Sequence, residues 1–295
     1  MSLLEFKTEY DLLDEKSRYV LQIYALLYHG VNRDEMTKLL NISGWTKKNG
    51  NPLNTKEVSL IIKGLMKKDF LIKRYYNEVE THPDLKNLIV YESIRNDLFP
   101  KLSQAIKEWS RSHYRYRNEP IRDMRIAYYG GNVKAFQEFL KEKYPVDDAD
   151  LFRPFCREVY DFLDPFLQEI HLADIAPKVI VNPGNCLAML NVFDEFIDSQ
   201  SSFSHDFLAA WLDIAIARGD LKSLAKLDAQ TNHKFPEVTG SLAMLLGDFE
   251  QAQLYFEKVM SGTRRKGKLG AINHLPALLY LMLLFRDGSS EALAN

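Results

Sequence analysis

Three segments of this chain share one local grammar. IAYYGGNVKAFQEFLKE (126–142), IAIARGDLKSLAKLDAQ (214–230) and SLAMLLGDFEQAQLYFEKV (241–259) each run a helical apolar pattern into Gly-Asn or Gly-Asp and out into a second helical pattern. Glycine ends a helix in the left-handed conformation, and an Asn or Asp oxygen caps the next helix. Helices joined this tightly fold back on each other, and such pairs must stack to bury their apolar faces. The expected architecture is therefore a helical array. A fourth copy opens at LLFRDGSSEALAN (283–295), and Gly131, Gly219, Gly247 and Gly288 are separated by 88, 28 and 41 residues. The period of about 34 residues that marks tetratricopeptide repeats is not kept, so the array is expected to be irregular and tetratricopeptide-like. The last copy stops one turn into its second helix. So short a helix is marginal, which predicts that the natural chain continues beyond Asn295 and that Met1-Ser2-Leu3 is partly vector sequence.

Residues 1–80 have a different texture and read as three helices and a hairpin. The first helix spans Lys16–Tyr28, with Val20, Leu21, Tyr24, Leu27 and Tyr28 inward and Gly30 as its stop. A short helix follows at Arg33–Leu40, then the polar, turn-rich SGWTKKNGNPLN (43–54). The third helix, Thr55–Lys68, buries Val58, Ile61, Ile62, Leu65 and Met66 by the helical period, which puts Lys56, Ser59, Lys63 and Lys67 on the opposite face. FLIKRYY (70–76) reads as a strand, and NLIVYE (87–92) as strand or helix. This order predicts a winged helix-turn-helix with the third helix as recognition helix. Between Ser43 and Tyr76 there are eight Lys or Arg and two acids, a local charge of +6 in a chain whose net charge is −2. Such asymmetry suits a phosphate backbone. The candidate nucleic-acid contacts are Lys47, Lys48, Lys56, Ser59, Lys63, Lys67, Lys73 and Arg74. The outer face of the third helix lacks the Arg, Asn and Gln that read base edges, so the expectation is phosphate contact more than sequence readout. Protein docking and a plain solvated face stay open beside contact with DNA or RNA.

The remaining chemistry is mostly excluded by pattern. The seven histidines form no His-x-x-x-His or Cys/His cluster, and VDDADLF, with Asp147, Asp148 and Asp150, lacks the Gly and terminal Glu of a calcium loop. No nucleophile elbow, kinase set or dinucleotide fingerprint occurs, so no metal, cofactor or catalytic residue is expected and the chain is not read as an enzyme. No apolar run approaches the roughly 20 residues of a membrane span, and no secretory signal opens the chain. The two cysteines, Cys156 and Cys186, read as reduced thiols. A cytoplasmic protein is expected, nucleoid-associated if it binds DNA. WSRSHYRYRNEPIRDMR (109–125) interleaves Arg111, Arg115, Arg117, Arg122 and Arg125 with aromatic residues, a pattern for single-strand contact. The favoured reading is a hinge whose arginines pair with local acids such as Glu119 and Asp123.

GTRRKGKLG (262–270) holds the Gly-x-x-x-x-Gly-Lys spacing of a phosphate-binding loop. Leu269 follows where the magnesium-binding Ser or Thr belongs, and the preceding pattern is helical, not strand-like. The segment reads instead as a basic inter-helix loop. Its cations Arg264, Arg265, Lys266 and Lys268 follow a helix C-terminus, where the dipole is negative, and are candidates for docking an anion or a partner. The apolar NHLPALLYLMLLF beyond it reads as a buried central helix. The stretch from LLGDFEQAQLYFEKVMSGTRRKGKLG to AINHLPALLYLMLLFRDGSSEALAN resembles the N-terminal region of large bacterial Swi/Snf-type ATPases of the DEAD/DEAH-box-like helicases. THPDLKNLIVYESIRNDLFPKLSQAI is more weakly similar. The resemblance implies a helical region preceding a separate motor that translocates on duplex DNA, and no motor lies in this chain. The expected fold is thus mainly α: a winged helix at 1–80, connecting helices at 81–120, and a tetratricopeptide-like array at 121–295, truncated at its C-terminus. The expected role is a non-catalytic accessory module that binds DNA or docks a protein partner or an in-cis ATPase domain. A stand-alone transcription regulator with a ligand- or peptide-binding array and a protein scaffold are the alternatives.

Overall fold

The computed structural model describes residues 3–47, 50–113, 119–142, 151, 155–181, 187–200, 202–263 and 271–286. The described residues are mainly α-helical with one two-stranded sheet, and the chain divides into two compact units, 1–167 and 168–295. The pair of helices around Gly131 therefore belongs to the first unit, and the pairs around Gly219 and Gly247 to the second.

The first unit is built around helix α2 (Glu15–Leu27), whose residues Tyr19 to Leu27 are all buried. It packs on α4 (Thr55–Lys67), α5 (Lys86–Arg95), α6 (Phe99–Ser112) and α7 (Pro120–Tyr129). Its one buried amide, Gln22, donates from Nε2 to the Tyr10 hydroxyl at 2.7 Å. A further helix precedes it. The sequence pattern did not single out α1 (Leu3–Asp11), which buries Phe6 and Tyr10, one turn apart. Helix α2 ends earlier than Gly30, at Tyr28, which itself takes the left-handed conformation with φ of 65°. Helix α3 (Arg33–Ile42) is capped by Asn32, which accepts from the Asp34 and Glu35 amides. The strand expected over 70–76 is shorter. Strand β1 (Leu71–Lys73) pairs antiparallel with β2 (Val79–Thr81) in the register Leu71 to Thr81, and Tyr76 and Asn77 turn between them at φ of 57° and 62°. On the other side of β2, Val31 and Val79 exchange both amide hydrogen bonds at 3.0 Å. The ambiguous NLIVYE is helical, in α5. Because Ile89, Val90 and Tyr91 are all buried together, its sequence carries no readable period.

The Gly-Asx joints of α7 to α8 (Val133–Lys141), α12 (His205–Arg218) to α13 (Leu221–Gln230), and α14 (Pro236–Leu246) to α15 (Phe249–Thr263) are built alike. Gly131, Gly219 and Gly247 have φ of 65°, 62° and 84°. The amides of Asn132, Asp220 and Asp248 each return to a carbonyl five residues back, at 2.9 Å in all three. Each Asx oxygen then accepts at 3.1 Å from the amide three residues on, at Ala135, Ser223 and Gln251. The two helices of the third pair meet closely. A Cβ at Gly240 would lie 3.1 Å from the Phe256 ring. Gly288, the fourth joint expected from sequence, lies outside the described residues.

The short α9 (Arg157–Asp161) belongs to the first unit; besides the pairs, the second unit holds α11 (Leu187–Ser199) and α16 (His274–Arg286), and most of α10 (Pro165–Val181). Phe193, Phe196, Phe203, Phe207 and Trp211 form a chain of ring contacts. Asp213 of α12 anchors the start of α16, accepting from the Leu275 amide at 3.0 Å and facing His274 Nδ1 at 3.2 Å. Helix α16 packs on α12, α14 and α15 through Pro276, Leu279 and Leu283. It is not buried all round, as its sequence suggested: Leu278, Leu281, Met282 and Phe285 are exposed on its other face. A helix that is apolar on every side hides which half meets its neighbours.

Candidate nucleic-acid interface

Helix α4 is positioned by its first turn and by its inner face. Asn54 and Glu57 form a capping box, with the Glu57 amide donating to Asn54 at 3.0 Å and the Asn54 amide to Glu57 at 3.1 Å. This satisfies two of the amides that a helix start leaves unpaired. The backbone hydrogen bond from Asn54 is the first cause that lowers the Glu57 pKa, and Lys47 beside it at 3.3 Å adds to the effect. The preceding loop is tied to α3. Asn41 accepts from the Leu53 amide at 2.9 Å and donates to the Leu53 carbonyl at 3.2 Å. Within the loop Thr46 bridges Pro52, and the Lys47 amide donates to the Asn51 carbonyl at 2.8 Å. Val58, Ile62 and Leu65 are buried against α2 and α3, with Ile61 and Met66 at the edges, so the inner stripe is the one its spacing predicts.

The cationic residues divide into two groups. Lys56, Lys63, Lys67 and Lys73 are exposed, and among the described residues none of them pairs with an acid. Lys47 is engaged with Glu57, and Arg74 with the buried Glu80 at 2.6 Å, so neither is a free cation. Lys68, outside the candidate set, pairs with Glu9 at 3.1 Å. Ser59 is half-buried and lies 3.4 Å from a guanidinium nitrogen of Arg33, which brings a cation from α3 to the same face. Lys48, Arg264, Arg265, Lys266 and Lys268 lie outside the described residues, as do Asp147, Asp148, Asp150 and Cys186. The basic loop does follow a helix, α15, where a phosphate-binding loop would follow a strand.

Sequence reasoning passed over three residues here. Arg33 is contributed by another helix, which no single-helix period can reveal. Leu60 is 64% exposed on the outer face of α4, and Gly64 is exposed beside it; among the described residues nothing from outside the helix's own backbone lies within 4 Å of where a Cβ would sit. The period that turns Lys56 and Lys63 outward turns Leu60 outward beside them, so the signal was present but an apolar residue was not sought on a cationic face.

The arginine-aromatic segment is used differently. Trp109 is fully buried, with His113 stacked on it at 5.1 Å. Arg122 and Arg125 are each only 2% exposed. Arg122 pairs with Asp123 at 2.9 Å, the local-acid pairing expected of it, and Arg125 donates to Asn87 at 2.7 Å and lies over the Tyr28 ring at 4.4 Å; the segment lies within the first unit and not at a boundary between units. Tyr114, Arg115, Tyr116 and Arg117 lie outside the described residues.

Among the described residues no cluster of His, Cys, Asp and Glu is placed to hold a metal ion, and no helix is long and apolar enough to cross a membrane. No protein-family model matches the chain, and no match was found among curated proteins or solved structures.

Proposed function

We propose that residues 1–80 form a winged helix-turn-helix that binds duplex DNA mainly through its phosphates, with α4 as the recognition helix. The chain as a whole is then a non-catalytic accessory module. In keeping with its resemblance to Swi/Snf-type ATPases, its helical pairs would dock a partner protein or an ATPase domain in cis. The order α2, α3, α4 and then a hairpin, with Val31 bridging β2, supports the fold assignment. The observation that carries the binding reading is the outer face of α4, where Lys56, Lys63 and Lys67 stand exposed and, among the described residues, pair with no acid. Lysines so placed can release counterions from a phosphate backbone.

The test is binding of the chain to random duplex DNA across roughly 50 to 200 mM salt, beside the Lys56→Glu/Lys63→Glu/Lys67→Glu variant. Each phosphate contact steepens the dependence of log affinity on log salt by about 0.9, so losing three contacts flattens the slope by about 3. Absence of binding at the low-salt end, or an unchanged slope in the variant, overturns the reading. A second reading, a protein-docking scaffold, is favoured by one observation, the exposed Leu278, Leu281, Met282 and Phe285 stripe of α16. Binding of a protein partner that is insensitive to salt and lost in Leu281→Glu would support it.

A further inference from the structure

Two features of α4 have no explanation inside the fold. A glycine in a helix interior costs about 1 kcal/mol relative to alanine, and is normally retained where something packs closely against it. Among the described residues nothing from outside the helix's own backbone lies within 4 Å of the Gly64 Cβ position. Leu60, one turn before it, is 64% exposed although the buried stripe of the same helix is complete without it. By the helical period Leu60 falls near the middle of the outward face of α4, opposite Val58, Ile62 and Leu65, with Lys56, Lys63 and Lys67 to one side of it and Gly64 to the other. The combination is an apolar contact point, a place where the backbone can be approached, and neighbouring cations that pair with no acid among the described residues.

We infer that this spot meets the floor of the DNA major groove: Gly64 lets the α4 backbone come close, and Leu60 packs on a thymine methyl group. The inference rests on the DNA-binding reading above and narrows it. The major groove presents one apolar group, the thymine C5-methyl, while its other base-edge features are hydrogen-bonding groups. A leucine can recognise the methyl alone. The lysines beside the leucine reach the phosphates that line the groove and set the register without reading sequence. The partner assigned is therefore thymine-bearing duplex DNA. RNA is disfavoured twice over, because uracil lacks the methyl and the A-form major groove is too narrow to admit side chains.

The experiment compares binding to an alternating A·T duplex with binding to the same duplex carrying deoxyuridine for thymidine. Every register of this duplex presents thymine methyls, so no specific site has to be known. Wild-type protein should bind the uracil duplex about fourfold more weakly for each methyl contacted, the value of burying one such group. Leu60→Ala should bind both duplexes equally. Gly64→Ala should unfold at a higher denaturant concentration than wild type and yet bind DNA several-fold more weakly, a pair of opposite changes that loss of folding cannot produce. Equal wild-type binding to both duplexes, or a thymine preference that survives in Leu60→Ala, overturns the Leu60 contact. Full affinity in Gly64→Ala overturns the close approach. Failure of wild type to bind any duplex removes the DNA-binding reading itself and this inference with it, and so is distinct from the other outcomes.

Discussion

The three Gly-Asx joints allow one substitution to be made in triplicate. At Gly131, Gly219 and Gly247 the backbone is left-handed, with φ of 65°, 62° and 84°, and among the described residues nothing beyond the adjoining backbone lies within 4 Å of where a Cβ would be. Alanine at these sites meets no steric obstacle from the rest of the protein, so its cost is the backbone conformation alone. The left-handed region disfavours an L-residue by roughly 1–2 kcal/mol. The stiffer alanine returns about 0.4–1 kcal/mol through the unfolded chain. Each Gly→Ala variant should thus be destabilised by about 1 kcal/mol, and Gly→Asn by less, because the asparagine side chain tolerates this conformation. In urea unfolding, with a slope of about 2 kcal/mol/M, the midpoint of the transition should fall by roughly 0.5 M for alanine. Gly131 lies in the first unit and the other two in the second, so the transition that moves should differ between them. A cost of several kcal/mol at one joint, or alanine tolerated better than asparagine at all three, would refute the argument that only the backbone angle matters.

Gly240 should behave in the opposite way. Its Cβ position lies 3.1 and 3.2 Å from two ring carbons of the fully buried Phe256 and 3.3 Å from Tyr255 Cβ, so Gly240→Val should destabilise by about 2 kcal/mol through overpacking; a neutral result in a denaturant titration would show that the helix pair can separate freely. Asn54→Ala removes one half of the α4 capping box and should cost about 1 kcal/mol, seen as faster hydrogen exchange at the Glu57 amide. Glu57 has a folded pKa below the ordinary carboxylate value, so its ionised form stabilises the fold above the unfolded-state pKa, and this contribution is lost as pH falls through the folded pKa. Glu57→Gln should accordingly be less stable than wild type at neutral pH and equal to it once both side chains are uncharged in acid; a gap that persists in acid would mean that charge is not the cause.

What could be read from the sequence was what local chemistry decides. A Gly-Asx joint is fixed by a backbone angle at one residue and a hydrogen bond three residues on, so Gly131, Gly219 and Gly247 were recognisable without tertiary information. The same holds for α4, whose start is set by Asn54 and Glu57 and whose inner stripe is strictly periodic. What was not readable depends on distant partners. Helix α1 is held by Phe6 and Tyr10, and its value to the fold comes from contacts such as Phe6 with Phe70, 6.1 Å between ring centres. Tyr28 ends α2 in a conformation costly for a bulky residue, within reach of Lys86 at 4.4 Å and Arg125 at 4.4 Å over its ring. The candidate site shows the same division. Spacing selected Lys56, Lys63 and Lys67 correctly as outward-facing, but Arg74 looks equivalent in sequence and is held by Glu80, a residue that the hairpin register brings beside it.

The pattern of pairing around α4 says more than the count of its lysines. At one end of the helix Lys47 is matched with Glu57, and at the other Lys68 is matched with Glu9. The chain therefore has the means to neutralise cations in this region and applies them to the flanks. Between the flanks it places Lys63 and Lys67 one turn apart, a like-charge spacing that disfavours the helix by about 0.2–0.5 kcal/mol. It adds a glycine at the next position after Lys63, which costs about 1 kcal/mol more than alanine would. A leucine is left in water on the same face. Each of these choices works against α4 as an isolated structural element, whereas its capping box and inner stripe follow every rule for stability. Local rules broken on one face of an otherwise well-specified element mark that face as selected for something other than folding. A solvated surface would not need this arrangement. A surface that must accept a polyanion, a close backbone approach and one apolar contact would need all of it, and this is why the DNA reading is preferred to the scaffold reading for the first unit.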